Sequence, residues 1–354
     1  PDFRLKANAQ GRGEGAPPTY VAPAEVRAEL HNLRAEARCA QPRRIAELEE
    51  RLRRIERALE HIAAEVGEDW RKRGDIAEAL GLAQGEVGRF ADAAETLAGA
   101  IAAEDAGASW YAVDQRVRHQ ARHARVLCQS DDPTERERGA ELFAAALAAL
   151  DDAERHPERS LTRQRYRSRA AVHWRRVPTL PAAERAEELD RLREVLGQAA
   201  RALTRGETDA LDPYSRLLWL AANLLRTAYG KEQLEELCPG FDEWCTELKR
   251  RAPKYERDCP SILAGVIDVE VELLQHLARA DLAAVADTLL TRLRGGLQRG
   301  ASRRQLASLV DYVELLQVLA AEATHKKKRF RGQADALGPM LALLHDWHGG
   351  GDAG

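Results

Sequence analysis

Residues 45–66 read IAELEERLRRIERALEHIAAEV, and the apolar positions Ile45, Leu48, Leu52, Ile55, Leu59, Ile62 and Val66 are spaced alternately three and four residues apart. A repeat of about 3.5 residues puts those side chains on one narrow helical stripe and turns the intervening Arg and Glu outward. Such a stripe is the seam of a coiled-coil-like helix, which needs a partner along its length. Upstream, Val26, Leu30, Leu33 and Ala37 step by four, three and four, and Pro42 separates the two runs. Because the residue before a proline avoids the helical region, the pattern predicts two helices over 24–68 joined by a turn around Gln41 and Pro42. Two partners fit the seam: the chain itself, as an antiparallel helical hairpin, or a second copy, as a dimer through residues 26–66.

Outward from this hairpin the chain stays helical. Gly11, Gly13, Gly15, Pro17, Pro18 and Pro23 break up a segment with no apolar period, which predicts a flexible tail over 1–23; the end, 349–354, predicts another. Beyond Trp70 the apolar pattern widens to a globular helix face, and helices are expected near 70–86, 90–105, 109–129, 133–155, 160–176, 182–204, 212–229, 232–250, 261–279, 281–298, 302–322 and 333–347. Ala, Leu, Glu and Arg dominate, aromatic residues are 5%, and no run reads as a strand, so the fold class is all-α. Helix pairs with short connections repeated along 354 residues predict an α-solenoid of antiparallel pairs behind the hairpin, over 69–230 and, in divergent form, 231–348.

Composition narrows the function classes. Charged residues are 31% of the chain but nearly cancel, to a formal net charge of −3, so no global field points to nucleic acid or a membrane surface. No apolar stretch approaches the roughly 20 residues that span a bilayer, and no secretory signal pattern is present. Cys39, Cys128, Cys238, Cys245 and Cys259 are odd in number and irregular in spacing, which implies reduced thiols and a cytoplasmic setting. A start at Pro1 and one methionine, Met340, imply a piece of a longer polypeptide whose other parts could carry catalysis.

Residues 74–105 carry a familiar pattern. Leu80 and Gly81 are adjacent large and small residues in a first helix, Gly88 and Phe90 mark the turn, and Ala93, Leu97 and Ala100 are small, large and small in a second helix, with Asp105 after it. This segment resembles one tetratricopeptide repeat, with Ala77 and Gln84 where the family has large aromatic residues and Asp105 where it has proline. Gly139, Phe143, Ala146 and Asp151 repeat the second-helix spacing more weakly within 133–151. The resemblance covers about a quarter of the chain. It implies a protein-binding scaffold whose first helices line a concave groove. Such arrays also act beside effector enzymes such as caspase-like proteases, so a partner of such an effector is an implied alternative. High Ala and Arg content points to a GC-rich, bacterial-type genome.

Catalytic and cofactor motifs are missing: no phosphate-binding loop, GxSxG, HExxH, CxxC or calcium loop occurs in the sequence. Neither His119 and His123, four apart, nor Cys238, Cys245 and Cys259 has the companions of a common metal site, so no metal and no cofactor is expected. One feature stands out. From Gln115 through Ser130 there is no acid, while Arg116, Arg118, His119, Arg122, His123 and Arg125 occur; from Arg159 through Ala183 there is again none, beside Arg165, Arg167, Arg169, Arg175 and Arg176 with Tyr166 and Trp174. The apolar residues of each window form one stripe, which leaves the arginines on the remaining faces.

Both windows fall on first helices of successive pairs, so they are expected side by side along the groove. Arg118, His119, Arg122, Arg125, Arg165, Arg169 and Arg176 are accordingly the candidate residues for binding another protein or an acidic peptide. The competing reading pairs these arginines with acids of neighbouring helices, such as Glu135, Glu137, Glu141, Glu184, Glu187 and Glu188. A further basic run, His325, Lys326, Lys327, Lys328, Arg329 and Arg331 around Phe330, belongs to the alternative of a nucleic-acid-binding regulator. The function expected from the sequence is a non-catalytic interaction scaffold or regulatory module, with no membrane contact.

Overall fold

Proline opens the first two helices: Pro23 and Pro42 sit in the first turns of α1 (Pro23–Ala37) and α2 (Pro42–Val66), where the missing N–H has no intrahelical role and the fixed φ suits the helix. The computed structural model describes residues 20, 22–102, 110–154, 163–203, 213–229, 232–258, 265–323, 330 and 332–349. Among them every regular element is helical. After α1 and α2 come α3 (Gly74–Glu86), α4 (Phe90–Ala102), α5 (Trp110–Cys128), α6 (Pro133–Glu154), α7 (Arg163–Arg176) and α8 (Ala182–Leu203). The rest are α9 (Pro213–Arg226), α10 (Leu234–Leu237), α11 (Phe241–Asp258), α12 (Ile267–Arg279), α13 (Leu282–Leu297), α14 (Arg303–Ala323) and α15 (Gln333–Gly349), with 3-10 turns at Trp70–Lys72 and Val177–Thr179. Consecutive helices pack on one another along most of the chain. No described helix is long and apolar enough to cross a membrane.

The seam of α2 closes within the chain. Ile45, Leu48, Leu52, Ile55, Leu59 and Ile62 are buried together with Val26, Leu30, Leu33 and Ala37 of α1, and Ile76, Leu80 and Ala83 of α3 complete this core. Each such Leu or Ile stabilises the fold by about 1.5–3 kcal/mol when fully buried. Arg51 borders the seam, donating from Nε to Glu29 at 2.5 Å and from Nη1 to Glu36 at 2.8 Å. A stripe covered in this way is not on offer to a second copy, so a dimer through residues 26–66 would require α1 to leave.

Close approach of α3 and α4 depends on Gly81. A Cβ there would stand 2.7 Å from Leu97 Cγ and 3.2 Å from the Ala93 carbonyl oxygen, closer than side chains pack, and Leu97 is fully buried beside Leu82 and Ala112. Gly139 plays the same part between α5 and α6, where a Cβ would come within 2.7 Å of the Ala124 carbonyl oxygen. Asp105 lies outside the described residues.

One expected helix is divided. In place of 232–250 the chain forms the short α10, closed at its start by reciprocal hydrogen bonds of Gln233 and Glu236, and then α11, which runs on to Asp258. Pro239 cannot continue α10, and Gly240 turns the chain at φ 72, a region that favours glycine. From α7 onward one core joins residues on both sides of position 230, with Trp174, Leu192, Leu220, Leu274, Tyr312 and Trp347 among its members.

α14 ties distant parts of the chain together. Just before it, the Ala301 N–H donates to the Ala40 carbonyl at 3.0 Å, and Gly300, at φ 84, lies so near Cys39 that a Cβ would come within 2.4 Å of its carbonyl oxygen. At the far end of α14, Glu322 pairs with Arg185 of α8 and accepts from the Tyr229 hydroxyl at 2.5 Å. Between these points α14 meets α3, α5, α7 and α9 in turn.

Candidate functional site

α5 is amphipathic in sequence but buried on both sides in the fold. Its apolar stripe, Val117, Ala121 and Ala124, is fully covered by Phe143, Ala146 and Leu150 of α6 and Val172 of α7. The opposite side, where an open face was expected, carries buried His119, Arg122 and Arg125 against α3 and α14. This burial has a simple physical origin. A helix packed on two opposite sides keeps only a narrow solvent face, here at Val126, and the cations it buries are held only if acids come from elsewhere.

Those acids come from α14. Arg125 donates from Nη1 to Asp311 Oδ1 at 2.7 Å and pairs with Glu314 through Nη2. Arg175 of α7 donates from Nε to Asp311 Oδ2 at 2.7 Å. Arg122 reaches the same carboxylate at 3.7 Å and donates from Nη2 to the Ser308 hydroxyl at 2.5 Å. Trp174 Nε1 donates to the Asp311 carbonyl at 3.3 Å, and the Trp174 ring stacks on Tyr312 at 5.7 Å between centroids. Burial would raise the Asp311 carboxyl, but Arg175, Arg125 and Arg122 outweigh it and hold the group ionised, below the ordinary range.

A second buried carboxylate, Glu86 of α3, is shared in the same manner. It accepts from Arg304 Nε at 2.9 Å, from the Ser302 hydroxyl at 2.7 Å and from Arg38 Nε at 3.1 Å, and Arg34 lies 3.6 Å away. Burial opposes its charge, yet Arg304, Arg38 and Ser302 pull it down to about 2.

Arg118 has a weaker set of partners. Its Nε donates to the Ser168 hydroxyl at 3.0 Å, Ser168 in turn bonds the buried Asp114, and Arg165 Nε stands 3.4 Å from Asp114. Burial raises the Asp114 carboxyl in spite of Arg165 and Arg118. For Arg118 itself, burial first and then Arg167, Arg175 and Arg304 push the guanidinium down to about 9. His119 is fully enclosed, stacked on Phe90 at 5.7 Å and set against the backbone of Gly85, where a Cβ would touch its ring at 2.3 Å. Neither ring nitrogen has a hydrogen-bond partner, and burial with Arg122 nearby keeps the ring neutral.

The remaining candidates lie toward the surface. Arg169 donates to Asp151 at 2.7 Å, and Arg176 stands 3.5 Å from Glu188, which His173 Nδ1 also contacts at 2.7 Å. Of the neighbouring acids named as alternative partners, Glu188 is therefore used by a candidate arginine, and Glu187 pairs with Arg191 instead. The structure brings Arg118, Arg122 and Arg125 together with Arg175 and Arg304, and sets Arg169 and Arg176 apart. Lys326, Lys327, Lys328, Arg329 and Arg331 lie outside the described residues; Phe330 between them is buried in the core. Cys238 and Cys245 are buried as well, and burial pushes both thiols up to about 12, which makes them packing residues. Cys259 also lies outside the described residues.

Sequence reasoning missed Asp311, Glu314, Ser308, Arg304 and Glu86. One signal was available: Asp311 and Glu314 interrupt an apolar run, LASLVDYVELLQVL over 306–319, and an acid within a buried helix needs a cation. No protein-family model, curated protein or solved structure matches this chain.

Proposed function

We propose that the chain is a non-catalytic, tetratricopeptide-like solenoid that receives an acidic segment of a partner protein against the arginines of α5 and α7. The observation that supports this is the seat of Asp311 and Glu314 on Arg122, Arg125 and Arg175. The chain itself thus carries an example of the ligand chemistry, an amphipathic helix whose carboxylates meet these guanidinium groups. A partner segment would compete with Asp311 and Glu314 for these arginines. Affinity would then depend on how firmly α14 is held.

The test uses the full chain and a labelled synthetic peptide with the sequence of residues 303–323, followed by fluorescence anisotropy. The double substitution Asp311→Asn and Glu314→Gln in the chain weakens the resident helix and should raise peptide affinity at least tenfold. A peptide carrying Lys at both acidic positions should not bind. Equal binding of the two peptides, or none by the loosened chain, would overturn the reading.

A further inference from the structure

Arginine outnumbers carboxylate in the interior between α3, α5, α7 and α14. Asp311 serves Arg122, Arg125 and Arg175, and of these Arg125 alone has a second carboxylate, Glu314. Glu86 serves Arg304 together with Arg34 and Arg38. Arg118 stands within electrostatic reach of Arg167, Arg175 and Arg304 and of one carboxylate, Asp114, which Arg165 shares, and its hydrogen bond goes to an uncharged hydroxyl. Arg122 Nε, in a side chain only 6% exposed, has no hydrogen-bond partner. Like charges gathered under low exposure repel, and a buried guanidinium short of acceptors is costly.

We infer that Arg118, Arg122, Arg175 and Arg304 form a binding site for a small multivalent phosphate, a pyrophosphate group either free or carried by a nucleotide. Guanidinium forks match phosphate oxygens in pairs, and two or more negative charges are needed to balance this group. The ligand is small because Arg122 and Arg175 are covered by α14, whereas Arg118 is partly exposed and the Arg304 side chain is 19% exposed, which leaves that edge open to solvent. Burial first, and then the neighbouring arginines, depress the Arg118 and Arg122 guanidinium groups, and an anion among them would offset the second cause. The site does not depend on the partner reading: it is used with α14 in place, whereas a partner segment displaces Asp311 and Glu314 from their arginines.

The experiment is calorimetric titration of the full chain with inorganic pyrophosphate and with ADP, at fixed ionic strength set by chloride. Saturable one-to-one binding is expected for pyrophosphate, ADP or both, and comparison of the two tells whether the group is free or carried by a nucleotide. Arg118→Gln should weaken that binding tenfold or more, because it removes charge-assisted bonds. Without ligand this variant should melt no lower than the parent, since a repelled charge has gone. Arg53→Gln, on the exposed face of α2, should leave binding unchanged. Hydrogen exchange separates this site from the partner reading: bound pyrophosphate or ADP should slow exchange in α14, and displacement by a peptide should speed it. No heat of binding with either probe, or an unchanged affinity in Arg118→Gln, would overturn the assignment.

Discussion

Arg175 of α7 and Arg125 of α5 meet on the two oxygens of one carboxylate, Asp311 of α14, each at 2.7 Å. Two helices separated in sequence by α6 are thus fastened by a residue 186 positions from Arg125. A carboxylate in this position acts as a clamp between the middle and the end of the chain. The same helix is fastened at its start through Glu86 and at its end through Glu322, so its removal would break contacts along most of the molecule.

Asp311→Asn should be among the most destabilising single changes in the protein. The amide keeps the shape but removes the charge that balances Arg122, Arg125 and Arg175, and breaking a buried ion pair in this way costs about 3–5 kcal/mol. Urea unfolding measures it. A loss below about 1 kcal/mol would mean that the interior charges are already solvated.

Acid should weaken the same interior through Glu86. Its folded carboxyl lies at about 2, against an ordinary 4.5, so between those values the unfolded chain binds the extra proton. The stabilisation is therefore fully present above about pH 4.5 and is lost as pH falls toward 2; a shift of that size corresponds to about 3 kcal/mol. Glu86→Gln should be less stable than the parent at pH 7 by roughly that amount, with the gap closing as pH falls. Urea midpoints of both proteins across pH 7 to 3 read the difference, and a gap that stays constant with pH contradicts the linkage.

Local order was legible in the sequence because it rests on period and punctuation. The alternation at Ile45 to Ile62, the proline at 42 and the small residues at Gly81 and Gly139 each impose a local geometry that survives folding. The interior arginines were found, but their surroundings were not. An acid-free window shows that cations need distant partners without saying whether those are solvent, another molecule or a helix far along the chain. The choice depended on α14 crossing α5 and α7, a long-range packing arrangement that no periodicity in residues 115–130 or 159–183 encodes.

The Gly81–Leu97 contact offers a test of α3 against α4. Gly81→Ala places a methyl group 2.7 Å from Leu97 Cγ and should cost about 1–3 kcal/mol by overpacking. Leu97→Ala empties a fully buried site and should cost about 2–5 kcal/mol. In the double variant the new methyl enters the space that Leu97 vacated, so the combined loss should fall short of the sum by about 1 kcal/mol. A double-mutant cycle in urea checks this, and strict additivity would show that the two sites do not touch.

Glu270 of α12 predicts the opposite pH dependence to Glu86. It is 2% exposed, neither carboxyl oxygen has a hydrogen-bond partner, and Tyr312 donates to its backbone carbonyl at 3.1 Å rather than to its side chain. Burial, with Asp268 adding to it, raises the carboxyl well above its ordinary value, so the folded chain keeps the proton that the unfolded chain releases near pH 4.5. The group is harmless below that pH and increasingly destabilising above it. Glu270→Leu, which retains the Tyr312 bond and fills a similar space, should stabilise the protein at pH 7.5 by about 1–3 kcal/mol. Near pH 4 the gain should shrink, because the parent no longer loses from holding the proton. Paired urea titrations at the two pH values decide it: a variant less stable than the parent at pH 7.5 would show that the carboxyl is satisfied in the fold.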